Sequence, residues 1–256
     1  MRAPFRSVML IAVLTLLMLH LSVPAYAVTD RTPDLRMARL SELQIEKTGD
    51  GHRRLRFSTK IVNVGVGAFE VWGSRSTTSD PMTVAQRIYD DAGSYTVVST
   101  PATMVFGGDG HYHWHVRNLE RYTLDRLDNG VRVGTGAKSG FCFYDNVQFN
   151  LSLPGAPQNA VYTSQNSCAS GQSNAVGTNV VREGLSVGWG DAYWWNLPDQ
   201  YIDITGLGSG RYRLRAIADP DNWFKEIGDT NNETWVDLQF QGSGAGLKIL
   251  GYGPSA

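Results

Sequence analysis

Along much of the chain, apolar and polar residues alternate with a period of two. In Leu55-Arg56-Phe57-Ser58-Thr59-Lys60-Ile61 the apolar side chains fall on one face and the polar ones on the other. Arg211-Tyr212-Arg213-Leu214-Arg215-Ala216 repeats the pattern, and so does Trp235-Val236-Asp237-Leu238-Gln239-Phe240. Successive side chains of a strand point to opposite faces, so each segment predicts a half-buried antiparallel strand. Gly49-Asp50-Gly51 marks a turn. Asn129-Gly130, between Leu127 and Val131, predicts a two-residue hairpin, because both central positions favour positive φ. With 28 glycines and no long amphipathic helical pattern, the expected class is all-β: an antiparallel β-sandwich with long loops and little helix. From Ser139 to Gln200 the alternation is poor and Asn, Gly, Ser and Pro dominate. This region reads as long loops lying over the sandwich, and loops of that length are usually functional or disordered.

The first 27 residues follow a different pattern. Arg2 and Arg6 precede an apolar run from Val8 to Leu19, and Ala25-Tyr26-Ala27 is a small-x-small cleavage site, so residues 1–27 read as a secretory signal. The run is short for a membrane span, which needs about 20 residues. Removing the segment would leave 229 residues with 21 basic and 24 acidic side chains, a net charge of −3. The expected product is one exported domain, residues 28–256, extracellular and not held in a membrane. So small a charge argues against a nucleic-acid partner that would be bound through phosphate neutralisation. In an oxidising compartment Cys142 and Cys168 are expected to pair as a disulfide; the alternative is two buried free thiols.

Three of the four remaining histidines lie within His111-Tyr112-His113-Trp114-His115. On a strand His111, His113 and His115 share one face, while Tyr112, Trp114 and Val116 point the other way, into the core. Alternate histidines make a metal site the first hypothesis. The outer Cα atoms of a flat strand would stand roughly 13 Å apart, so three imidazoles on one ion, each at about 2 Å, require a bend. Gly107, Gly108 and Gly110 would permit it. Three neutral imidazoles leave a coordination position open, and nitrogen ligation suits Cu(II) and Zn(II) alike. Asp109 could orient a histidine or simply be a turn residue.

Asp109-Gly110-His111-Tyr112-His113-Trp114-His115 resembles the copper-binding His-x-His-x-His strand of the lysyl oxidase family, the secreted copper-dependent amine oxidases. Gly136-Ala137-Lys138-Ser139-Gly140-Phe141-Cys142 is similar to the segment carrying that family's cross-linking lysine. Gly184-Leu185-Ser186 with Asp191-Ala192-Tyr193 resembles the segment carrying its quinone-forming tyrosine. Tyr201-Ile202-Asp203-Ile204-Thr205 and Asp229-Thr230-Asn231-Asn232 match two further stretches, and Pro33-Asp34-Leu35 and Leu55 to Gly65 match more weakly. The resemblance covers most of residues 28–256 and implies that His111, His113 and His115 hold Cu(2+). It implies that Tyr193 and Lys138 form lysine tyrosylquinone, and that primary amines, lysine side chains of extracellular proteins among them, are oxidised by O2 to aldehydes with release of H2O2 and ammonia. The reaction needs a general base, for which Asp191 is the candidate.

By themselves Lys138 reads as a solvated side chain and Tyr193 as one of an aromatic cluster with Trp189, Trp194 and Trp195. The sequence also departs from its animal counterparts. It has two cysteines where they have many, no histidine upstream of His111 in that segment, and Arg121 where they carry another histidine. Collagen and elastin are therefore not carried over as partners. Two alternatives stay open: a non-catalytic secreted copper-binding β-sandwich module, and a zinc hydrolase using the same histidines with a carboxylate base. Asn232-Glu233-Thr234 fits a glycosylation pattern but is expected in a turn. Asp229 to Glu233 offers oxygen ligands for Ca2+ without a full loop signature. His52 is expected to be exposed.

Overall fold

The computed structural model describes residues 28–107, 112–242 and 246–256. The expected signal, residues 1–27, lies outside them. Among the described residues, antiparallel strands form three sheets of seven, five and six strands, and the one helical element is a 3-10 turn, Ala175–Gly177. The all-β expectation holds. No helix among these residues is long and apolar enough to cross a membrane.

The eleven-residue strand Arg53–Asn63 organises the six-stranded sheet. Leu35–Met37 and Ser41–Lys47 pair along one edge, and Trp189–Tyr193 and Tyr201–Asp203 along the other. The expected half-buried strand is therefore a central one. Residues 55 to 59 are all buried, including Arg56, Ser58 and Thr59. The other two alternating segments behave as predicted. In Gly210–Ala218, Tyr212, Leu214, Ala216 and Ala218 are buried, and in Glu233–Gln241, Thr234, Val236, Leu238 and Phe240 are buried. These two strands pair with each other in the five-stranded sheet, whose inner face packs on Leu35 and Met37. Each fully buried Leu, Phe or Met side chain contributes about 1.5–3 kcal/mol by leaving water.

Two local expectations are corrected. The hairpin joining Glu120–Arg126 to Arg132–Thr135 exists, but Val131 and Arg126 close a wider loop, with Arg126 N–H donating to the Val131 carbonyl at 2.8 Å. Gly130 alone takes positive φ (+70°), so the turn is not the two-residue type that needs it twice. Part of the region expected as loop is strand: Val180–Leu185 pairs with Phe69–Ser74, and Trp189–Tyr193 pairs with the central strand. All five residues of Trp189–Tyr193 are buried, and a strand covered on both faces has no reason to alternate. Residues 149–179 do run as a loop apart from the 3-10 turn. Cys142 and Cys168 are disulfide-bonded, with Cα atoms 5.7 Å apart.

Candidate active site

Trp114–Arg117 is a short strand paired with the end of Tyr95–Phe106, Trp114 opposite Phe106 and His115 opposite Val105. Trp114 and Val116 enter the core as expected; Trp114 packs edge-on against Phe106 and its indole N–H donates to the Ala175 carbonyl at 2.8 Å. Tyr112 does not follow them. It is 84% exposed, because strand pairing starts only at Trp114. Gly107, at φ +69°, donates its N–H to the His113 carbonyl at 2.9 Å. The His113 and His115 rings lie 4.5 Å apart between centroids, closer than the roughly 6.6 Å spacing of alternate residues on a flat strand. His115 is buried, and its Nδ1 contacts the Gly107 carbonyl at 3.0 Å. A carbonyl only accepts, so Nδ1 is the donor in this contact, and it is Nε2 that a metal-binding tautomer would present. His111 and Asp109 lie outside the described residues.

His113 and His115 open onto a cavity of about 160 Å³ that is also lined by Lys138, Asp191, Tyr193, Cys142 and Asn146. Lys138 comes from the segment after the Arg132–Thr135 strand and is buried. Its Nζ stands 5.0 Å from the Tyr193 ring centroid and 5.4 Å from that of Phe141. Tyr193 ends its strand opposite Thr59, packs edge-on against Phe141 at 5.2 Å, and donates its hydroxyl proton to the Cys142 carbonyl at 2.8 Å. Cys168, across the disulfide, accepts from Trp114 N–H at 2.9 Å. One covalent clamp thus ties the tyrosine's hydrogen-bond acceptor to the start of the histidine strand. The other members of the expected aromatic cluster separate: Trp189 is buried with its indole N–H on the Pro157 carbonyl, while Trp194 is half-exposed.

Three buried carboxyl groups belong to this part of the core, Asp191 lining the cavity and Glu120 and Glu183 lying behind it, and only Asp191 was singled out in the sequence. Asp191 accepts a short hydrogen bond from Asn146 at Oδ1, and its Oδ2 is buried with no hydrogen-bond partner. Burial pushes its carboxyl well above the usual carboxylate range; the neighbouring Tyr193 hydroxyl and the Lys138 charge oppose the rise, and Glu120 adds to it. Glu120 is pushed up to about 7 by burial, against the pull of the Tyr122 hydroxyl and the Lys138 charge. Burial likewise raises Glu183, which accepts from Phe143 N–H at 3.3 Å through one oxygen only. Burial, followed by the charges of Asp191 and Glu120, raises the Tyr193 hydroxyl well above an ordinary phenol. Glu120 and Glu183 carry a signal that parity could have revealed: Glu120 shares a face with buried Tyr122 and Leu124, and Glu183 with buried Val181 and Leu185.

Among the described residues no group of three His, Cys, Asp or Glu side chains is placed to hold a metal ion. The two histidines that are described nevertheless suit a nitrogen-liganded ion, since their rings converge beside a cavity and a backbone carbonyl sets one tautomer. Outside this site, His52 is half-exposed beside Asp203 at 3.0 Å, as expected. Asn232 is buried and donates to Glu226 at 3.0 Å, which favours the turn reading over a glycan acceptor. Asn231 donates to Asp34 at 2.9 Å.

A sequence profile described as "Lysyl oxidase" matches residues 158–248, the stretch containing Cys168, Asp191 and Tyr193. Lysyl oxidase homolog 3A of Danio rerio is 26% identical over 195 residues, 75% of this chain and 20% of the relative. Protein-lysine 6-oxidase of Homo sapiens is 27% identical over 133 residues, 52% of this chain and 27% of the relative. Lysyl oxidase homolog 4 of Mus musculus is 29% identical over 134 residues, 52% of this chain and 15% of the relative. The chain therefore spans about a quarter or less of the length of these relatives.

Proposed function

We infer, from the chain's membership of the lysyl oxidase family, that it is an exported copper-dependent oxidase of primary amines, with residues 1–27 as its signal and 28–256 as its catalytic domain. The observation that supports this most strongly is Lys138 Nζ lying 5.0 Å from the Tyr193 ring on a cavity shared with His113 and His115. Those two histidines with His111 would hold Cu(2+), and Lys138 and Tyr193 would be the two halves of lysine tyrosylquinone. When bound, these groups supply the redox chemistry by which O2 converts a primary amine to an aldehyde, hydrogen peroxide and ammonia.

The chain's own residues have definable tasks in that scheme. The Gly107 carbonyl keeps His115 in the tautomer that presents Nε2 as a ligand. The Cys142 carbonyl and the edge of Phe141 fix the orientation of the Tyr193 ring, so that Lys138 has one face to approach. Burial of the walls excludes bulk water, which strengthens every charge interaction inside. Asp191 Oδ2 is the acceptor for the substrate's α-carbon proton. A carboxylate whose proton affinity burial has raised is a stronger base once ionised. Substrates are primary amines, with peptidyl lysine one source.

Redox-cycling quinone staining of the copper-loaded protein tests this reading. Native protein is expected to stain and to release H2O2 with a primary amine, and Tyr193→Phe to do neither. An unmodified Tyr193 after exposure to copper and O2 would leave a copper-binding module and overturn the oxidase.

A further inference from the structure

Trp114 sits between His113 and His115 in the chain and is buried, 1% exposed. Its backbone N–H donates to the Cys168 carbonyl at 2.9 Å, and its indole N–H to the Ala175 carbonyl at 2.8 Å. Phe106 meets the indole edge-on at 5.7 Å, and the Arg75 guanidinium carbon stands 4.5 Å from its ring centroid.

Arg75 follows the Phe69–Ser74 strand and is itself tied down. Its backbone N–H donates to the Asn179 carbonyl at 3.0 Å. From the guanidinium, Nε donates to the Thr178 carbonyl at 3.0 Å and Nη2 to the Val176 carbonyl. Nη1 donates to the Thr78 and Asp80 carbonyls at 2.8 and 3.2 Å. A planar guanidinium can lie on an indole while its in-plane N–H groups reach carbonyls around its rim. An ammonium, with three splayed donors, cannot do both. Ala175 supplies the acceptor for the indole, and Val176 and Thr178 supply acceptors for the guanidinium. The 3-10 turn and Arg75 thus grip Trp114 together, the turn at its edge and the cation over its ring.

We propose that Arg75 is a positioning residue that, through Trp114, holds the backbone from which the His113 and His115 rings project. The grip on Trp114 stands on the hydrogen bonds and the ring contact; its consequence for copper rests on the function proposed above. The two parts are tested separately. Copper-free native protein and Arg75→Lys are treated with diethyl pyrocarbonate, and modification of His115 is followed by peptide mass spectrometry. His115, buried in the native protein, is expected to react at least threefold faster in the variant, with half-exposed His52 unchanged as a control. An unchanged His115 rate overturns the positioning role, even if the variant melts at a lower temperature. With copper, competition against a chelator is expected to show at least tenfold weaker binding in Arg75→Lys. The electron paramagnetic resonance spectrum at saturation should differ from the single Cu(II) species of native protein. The same affinity and spectrum in both proteins overturn the consequence for copper. If native protein binds no copper, the oxidase reading fails while the modification rates still decide the positioning. Should Arg75→Lys not fold, Trp114→Phe removes the indole donor and keeps an aromatic ring; His115 should again react faster, and an unchanged rate overturns the proposal.

Discussion

Glu183 shows how one side chain ties pH to stability here. Its buried carboxyl binds its proton more tightly folded than unfolded, because desolvation penalises the charged form. The stabilisation is fully present below the unfolded value, about 4.3, and is lost as pH rises from there through the raised folded value. Asp191 and Glu120 act in the same direction. The melting temperature of native protein is therefore expected to fall from pH 5 to pH 8. Glu183→Gln, which mimics the protonated acid, should fall less steeply and be the more stable of the two at pH 8. Parallel slopes in a calorimetric series would show that Glu183 is not the group responsible.

Among the elements, the disulfide connects the most. It closes 26 residues of separation, and its two cysteines contribute the acceptor of the Tyr193 hydroxyl and the acceptor of Trp114 N–H. Constraining a loop of that length stabilises by roughly 3 kcal/mol. Replacing both cysteines by serine should lower the melting temperature by roughly 6–12 °C for a chain of this size. The Tyr193 fluorescence environment should change with it. A drop confined to stability, with Tyr193 unaffected, would mean that the clamp holds the loop but not the site.

The elements that alternation revealed are those with one face in water, Gly210–Ala218 and Glu233–Gln241. Where both faces are covered, as in Trp189–Tyr193, the pattern vanished and the strand read as loop. That His113 and His115 share a face was legible from their alternate spacing. That Tyr112 turns outward was not, because it depends on where pairing with Phe106 begins. Lys138 and Tyr193 are 55 positions apart, and nothing in their local sequences links them; only family resemblance did so before the fold was known. Glu120 and Glu183 sat in plain alternation with core residues, yet a lone acid on an inward face is easily taken for a strand's solvent side.

At the scale of the whole molecule, strands of two sheets, the segment carrying Lys138 and one disulfide clamp line a small cavity whose walls come from distant parts of the chain. A ligand that binds only the folded state adds to stability by mass action, about 2.7 kcal/mol at a hundredfold excess over its dissociation constant. Copper at that excess should raise the melting temperature of native protein by roughly 5–10 °C. His115→Ala should lose the increment while His52→Ala keeps it; an equal rise in all three would place the metal elsewhere.

The central claim is that Lys138 and Tyr193 become one cofactor. Peptide mass spectrometry after incubating purified protein with copper and O2 tests it most directly. The expected result is a single cross-linked species containing both residues, absent without copper and absent in Tyr193→Phe. Recovery of the Lys138 and Tyr193 peptides as separate, unmodified species from fully copper-loaded protein would contradict it.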